Sequence, residues 1–256
     1  MTLPGWMATR GGARAFGLAV TLAVIAVAEA LIRAGVINPF IVPLPTDVVA
    51  SIPRIVAEEH VLDRFLQTMQ EVRWASVRSA VGGISLGVLF YKSRILRLAC
   101  ESWVGAMAAA PIVLLYPLFL VIFGRSATTI VMIGFVAGLA PVILKTIEGL
   151  AGTRAVLLNV GRSFKVTSSQ QFWKILLPAA LPSVFVGLRL GLIFAMINIV
   201  GVEFLINFGG LGQLINELAE RYDLPGTYGA IGFVILTSIL FFDVTARIER
   251  WLRPVE

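Results

Sequence analysis

The chain has 256 residues, 58% of them hydrophobic and 14% charged, with a mean hydropathy of +0.90. A water-soluble surface cannot be assembled from that inventory, whereas it leaves room for about six apolar spans of about 20 residues each, joined by short loops. The net charge of +6 matters through its placement, and one cysteine (Cys100) with one histidine (His60) excludes a disulfide framework and a zinc set.

The first apolar run covers 15–36 and follows Arg10 and Arg14. Its stretch Ala26-Val27-Ala28-Glu29-Ala30 resembles a signal-peptide cleavage site, but the run is longer than most signal-peptide cores, which favours a retained span. Near its end Glu29 and Arg33 stand at i and i+4, the favourable order for a helical ion pair. Pro39, Pro43 and Pro45 then break the chain, and Thr46 or Asp47 can cap a short helix running to about Val56. Glu58, Glu59, His60 and Asp63 are of metal-ligating type, but the simpler reading is a solvated helical face, and no metal is assigned.

A second span is expected over 65–91, a third over 98–123 and a fourth over 128–146, the last two separated by a tight Gly124-Arg125-Ser126 turn. A polar segment follows from Lys145 to Lys174. The fifth span is expected over 179–204, and a loop with Gly209, Gly210, Gly212, Asp223, Pro225 and Gly226 leads to the sixth, over 228–243. The fold class is an all-α polytopic membrane protein, one transmembrane domain over 1–256.

Six spans put both termini on one side. The loops of that side hold Arg10, Arg14, Lys92, Arg94, Arg97, Lys145, Arg154, Arg162, Lys165, Lys174, Arg247, Arg250 and Arg253, so the positive-inside rule makes it the cytoplasm. The opposite loops keep Asp47, Glu58, Glu59, Asp63, Glu217, Glu220 and Asp223.

The largest cytoplasmic segment, 149–178, repeats apolar residues at helical spacing (Val156, Leu157, Val160, Phe164), then offers an N-cap over Thr167 to Ser169 and a second stripe of Phe172, Trp173, Ile175 and Leu176. It reads as a helix-turn-helix at the membrane surface, either an amphipathic connector resting on lipid headgroups or a docking element.

This segment resembles the "EAA" loop of binding-protein-dependent ABC importer permeases, whose short coupling helix sits in a cleft of the ATPase. Ile175-Leu176-Leu177-Pro178 matches the end of that pattern, and Ala179-Ala180-Leu181-Pro182 and Gly187-Leu188-Arg189 match the nitrate/sulfonate/taurine branch. Pro43-Leu44-Pro45-Thr46-Asp47, Lys92-Ser93-Arg94, Phe123-Gly124 and Gly210-Leu211-Gly212 extend the resemblance over about residues 38 to 253. It implies a type I ABC importer fold in a bacterial inner membrane, a permease homodimer, a separate ABC ATPase that binds the ATP, and a periplasmic or lipid-anchored binding protein. It also implies an ATPase-docking surface made of Asn159, Val160, Gly161, Arg162, Phe164, Lys165 and Thr167. Two positions depart from the pattern: Asn159-Val160-Gly161 stands for E-A-A, and Lys165 stands where the turn glycine belongs. A lysine at positive φ costs on the order of 1 kcal/mol relative to glycine.

Charges inside spans cost roughly 2.5 to 3.5 kcal/mol at a helix centre unless paired or hydrated, which singles out three residues. Arg78 lies inside the second span on the helical face of Glu71, as a paired or water-lined residue and a candidate contact for an anion. Arg189 and Glu203 share a face of the fifth span but stand about 21 Å apart, Arg189 facing inward and Glu203 closing the external end. Pro111 and Pro117 kink the third span, as helices bordering a pathway do. Gly82, Gly83 and Gly87 permit close helix approach. These observations make Arg78, Pro111, Pro117, Arg189 and Glu203 the candidate translocation-pathway residues.

No G-x-x-x-x-G-K-[ST] is present, so the chain has no nucleotide site or cofactor of its own, and neither a metalloprotease motif nor a His or Cys pair offers catalysis. The net charge reads as topology, with no nucleic-acid partner implied. The reading is a permease subunit for a small anion or organic acid, driven by a partner's ATP hydrolysis. An ATP-independent secondary transporter, which normally shows related halves, or a non-transporting scaffold stands as the alternative.

Overall fold

The computed structural model describes residues 10–252, and every regular element among them is helical. In chain order these are α1 (Arg10–Arg33), α2 (Pro45–Glu58), α3 (Val61–Lys92), α4 (Arg94–Ala109), α5 (Tyr116–Phe123), α6 (Ala127–Ala151), α7 (Ala155–Ser163), α8 (Ser168–Gln171), α9 (Leu177–Ile206), α10 (Gly210–Glu220) and α11 (Leu224–Leu252). A 3-10 turn, Ile112–Leu115, precedes α5, and a π-helical turn, Phe172–Leu176, joins α8 to α9. Arg253, counted among the basic tail residues, lies outside the described residues.

α6 is apolar on every side, and a helix of that kind belongs in the middle. It lies between α3 and α9, where Ile130, Ile133 and Ala137 meet Val72 and Ala75 of α3 and Ile199 and Val202 of α9. Small residues set the spacing. A Cβ on Gly83 would stand 2.6 Å from the Val142 side chain, and one on Gly87 2.6 Å from Thr146. The closest approach is at Gly138 and Gly191: a Cβ on the first would meet the carbonyl oxygen of the second at 2.7 Å, and the reverse contact would be 2.6 Å. Only glycine lets the two backbones touch there.

By length and apolarity, four helices among the described residues can cross a membrane: Ala15–Arg33, Ala127–Ala151, Ser168–Ile206 and Leu224–Arg247. The pair Arg94–Ala109 and Ile112–Phe123 makes a fifth if its two arms form one span. α3 is long enough at 32 residues but carries too many polar groups to be counted with them. Six crossings were expected from the sequence, so by these criteria the count is four to five.

The expected third span, 98–123, is not one helix. Its two arms meet at 94°. Pro111 has no N–H to donate and forces Ala110 into an extended conformation (φ −75°, ψ 140°), which ends α4, while Pro117 sits in the first turn of α5, where a missing N–H costs nothing. The expectation of a kink is thereby corrected to a break.

The segment read as a loop before the sixth span contains α10. Leu211, Leu214 and Leu218 fall on one side of it and pack with Ile55, Val61 and Ala230 into a second apolar cluster. Ion pairs surround this end of the bundle: Arg64 with Glu217 at 2.7 Å, Arg221 with Glu59 at 2.7 Å and Arg54 with Asp223 at 2.5 Å. The bond to Asp223 holds the Arg54 guanidinium pKa above its ordinary value. Glu59 is buried, which corrects its reading as part of a solvated face, whereas His60 and Asp63 are exposed. α2 begins at Pro45 and uses neither Thr46 nor Asp47 as its cap. Thr46 is turned to α1 instead, where its N–H and hydroxyl donate to Glu29, which also pairs with Arg33 at 2.6 Å.

Candidate functional site

At the end of the bundle opposite α10, α6 leads into the segment 152–176. α7 closes in a Schellman turn: the Val166 N–H donates to the Gly161 carbonyl at 3.2 Å and the Lys165 N–H to that of Arg162 at 2.9 Å. Lys165 is the residue in left-handed conformation, with φ of +52°. The next helix starts in a capping box, in which the Thr167 hydroxyl accepts from the Gln170 N–H at 3.3 Å and the Gln170 side chain accepts from the Thr167 N–H at 2.9 Å. Two defined caps around three residues fix the angle between α7 and α8.

That geometry presents a surface. Asn159, Val160, Arg162, Phe164, Lys165 and Thr167 are all exposed, Phe164 at 79% of its area. Gly161 alone of the seven candidate docking residues is buried, because a Cβ there would stand 2.6 Å from Ile175 Cδ1. Asn159 and Arg162 lie together, at 3.5 Å between side chains, so the amide standing for the family's carboxylate touches the basic residue one turn on.

The root of this segment is held by Phe172, which is buried with Leu150, Ala180 and Val184. Lys92, at the end of α3, places its ammonium 4.8 Å from the Phe172 ring centre. The exposed turn is therefore connected to α3, α6 and α9 through one aromatic ring.

The candidate pathway residues do not form one cluster. Pro111 and Pro117 flank the break between α4 and α5 and are both exposed. Arg189, half-buried in α9, stacks over the Phe242 ring of α11 at 4.4 Å. Beside it, α9 and α11 enclose an apolar groove of about 510 Å³ lined by Met196, Val200, Val234 and Phe241, with Ser238 its one hydroxyl.

Glu203 is fully buried near the end of α9. Its Oε2 accepts from the Gly212 N–H at 2.8 Å and its Oε1 from the Thr68 hydroxyl at 2.7 Å, while the Leu211 N–H donates to that same hydroxyl at 2.9 Å. The carboxyl thus caps α10 from outside the helix and ties α3, α9 and α10 together. The Glu71 carboxyl is buried against it.

Arg78 and Glu71 do not share an environment, although their spacing puts them on one helical face. Glu71 is buried, against Glu203 of α9, whereas Arg78 is exposed. Arg78 folds back to donate to the Trp74 carbonyl at 3.1 Å, with its guanidinium 5.6 Å from the Trp74 ring. Arg73 lies 5.2 Å from the same ring. Neither Trp74 nor Arg73 was singled out from sequence, where the run Arg73-Trp74 followed by Arg78 inside an apolar segment was the available signal. Trp74 and Arg78 line a groove of about 250 Å³ with Ala127, Thr128, Val131 and Met132 of α6.

Comparison with known proteins bears on both ends of the molecule. A family model described as the binding-protein-dependent transport system inner membrane component matches residues 79–254. A protein named as an aliphatic sulfonates transport permease of Bacillus subtilis (strain 168) is 25% identical over 97% of this chain and 87% of its own length. The nitrate import permease protein of Synechocystis sp. is 28% identical over 70% of this chain and 65% of its own. The taurine transport system permease protein of Escherichia coli (strain K12) is 22% identical over 85% and 81%. In three dimensions, a chain of the MetNI methionine ABC transporter in an inward-facing conformation superposes with a TM-score of 0.66 at 19% identity, covering 76% of this chain and 96% of that one.

Proposed function

Because the chain belongs to the family of binding-protein-dependent transport system inner membrane components, as a multi-pass transport permease and not itself a catalyst, we propose that its exposed α7–α8 turn receives a separate ABC ATPase. The observation that carries this reading is the pair of caps around Phe164, Lys165 and Val166, which hold Phe164 and Arg162 outward on a rigid corner. An apolar anchor beside a cation, on a preformed turn, is the kind of surface that fills a cleft in a partner.

In this reading the α7–α8 end faces the cytoplasm with both termini, and the α10 end faces outward, where a periplasmic or lipid-anchored binding protein delivers the solute. Two copies of the chain form the pathway, with the bundle held in lipid. ATP is bound by the partner, whose closure moves the corner, and Phe172 passes that movement to α3, α6 and α9. The two membrane faces are then exposed in alternation, a two-state change driven from one side. Arg78, Arg189, Glu203 and the break at Pro111 and Pro117 belong to the moving pathway. The relatives named for sulfonates, nitrate and taurine support a small oxyanion as the solute. Family membership does not favour the secondary transporter or the scaffold.

The test is a pull-down of the ATPase with Arg162→Glu and Phe164→Ala. Loss of the ATPase from both, with the membrane chain still folded, is the expected result; an intact complex in both variants would remove this docking surface from consideration.

A further inference from the structure

Arg73 and Arg78 both bring a cation to the ring of Trp74, on a stretch of α3 that is otherwise apolar and small. Among the described residues neither forms an ion pair, and the nearest carboxyl along the helix, Glu71, two residues before Arg73 and about 10 Å along the axis from Arg78, is buried against Glu203. Two guanidiniums are thus held in place with donor groups left over.

The other wall of the groove is the first turn of α6. Its N-cap, Ser126, makes no side-chain bond to that turn, since its hydroxyl donates to the Phe123 carbonyl instead. The first-turn amides and the positive end of a helix of 25 residues therefore lie at the groove without a side-chain cap. Thr128 adds a hydroxyl to the lining, and Val131 and Met132 supply an apolar floor. The Arg78 cation, an uncapped helix start and an apolar floor meet at a space of about 250 Å³, while Arg73 steadies the Trp74 ring from outside the groove.

We propose that Arg78, Trp74 and Thr128, with the first turn of α6, form a binding site for a small oxyanion bearing a short apolar group. A guanidinium matches the planar or tetrahedral oxygens of a sulfonate or carboxylate with two parallel N–H donors. A helix start accepts the same charge without desolvating a second cation. The apolar floor and the Trp74 ring take the carbon side. The chemistry is shared by a free solute and by an anionic lipid headgroup, because the groove opens on the bundle surface. Its assignment to the solute route rests on the importer reading above.

The experiment uses the full chain in a detergent with an uncharged headgroup. Tryptophan fluorescence is followed during titration with sodium ethanesulfonate, against sodium chloride at matched ionic strength, and in a second arm with short-chain phosphatidylglycerol. A saturable change that disappears in Trp74→Phe and weakens by about tenfold or more in Arg78→Gln, with partial recovery in Arg78→Lys, supports the site. Saturation by ethanesulfonate supports a solute site. Saturation by the lipid alone supports the oxyanion chemistry and overturns the solute assignment. No saturable change in either arm, or one that Arg78→Gln leaves intact, overturns the proposal. Binding is read without the ATPase, so it is independent of docking. In the wild type, failure of ATP-driven uptake despite ethanesulfonate binding counts against the importer reading and leaves the site standing. Uptake with unchanged concentration dependence in Arg78→Gln overturns the solute assignment and leaves the importer reading standing.

Discussion

The ammonium of Lys92 stands 4.8 Å from the centre of the Phe172 ring, joining the end of α3 to the root of the exposed α7–α8 segment. The ring is also buried against Leu150, Ala180 and Val184, so its two roles separate by mutation. Phe172→Ala is expected to destabilise the chain by about 3 kcal/mol, as loss of a buried aromatic does. Lys92→Met removes only the cation, costing about 0.5–1 kcal/mol. Thermal unfolding in detergent ranks the two, and limited trypsin cleavage at Arg162 should accelerate in both. Equal stability losses would show that the ring is held by its cation and not by its burial.

Lys165 occupies the left-handed position of the Schellman turn at φ +52°. Lys165→Gly is expected to stabilise that turn by about 1 kcal/mol, because glycine reaches positive φ without the Cβ conflict. Slower amide hydrogen exchange at Phe164 and Val166 is the readout. Lys165→Val should act in the opposite direction, and unchanged exchange in both variants would mean that the turn is imposed from elsewhere.

Much of this segment was legible beforehand. Lys165 was already placed at the glycine position of a turn, Thr167 at a cap, and Glu29 with Arg33 as a pair, because each depends on neighbours within four residues. Non-local contacts were not legible. α10 carries Leu211, Leu214 and Leu218 at helical spacing, but three glycines at its start read as loop, and they are tolerated because the Glu203 side chain fills the space a Cβ would take at Gly210. Arg78 is exposed although Glu71, two turns earlier on the same helical face, is buried, a difference that no periodicity records. Pro111 and Pro117 marked the third span for a bend, yet local rules give no angle, and the 94° between its arms was not legible from them.

Glu203 accepts from Thr68 and Gly212 and is sealed from solvent. Glu203→Ala leaves the buried Gly212 N–H without its acceptor, while the Thr68 hydroxyl keeps the Arg64 carbonyl, at about 1–3 kcal/mol. Glu203→Gln has the same shape and keeps one oxygen for the Gly212 N–H, while its amide can donate to the Thr68 hydroxyl, so a loss under about 1 kcal/mol is expected. Thermal unfolding midpoints of the two variants decide this; equal losses would mean that the negative charge, not the shape, caps α10.

Gly138→Ala and Gly191→Ala should each cost about 1–3 kcal/mol, since each Cβ would press on the facing carbonyl. The double variant should cost less than the sum, because the first methyl already parts the helices. Additive losses in a double-mutant cycle would show that the two sites relax independently.

The same pair has a mechanical side. Where α6 and α9 meet at Gly138 and Gly191, backbone lies on backbone, and on either side a side chain of one helix is seated on a glycine of the other, Val142 on Gly191 and Ile199 on Gly134. Side chains interlocked in this way let a packed interface move between discrete arrangements but not slide freely. This close crossing thus fastens α6 to α9, the two helices that lead into and out of the exposed corner. A push at that corner would carry α6 and α9 together, as the two legs of a riveted joint move as one.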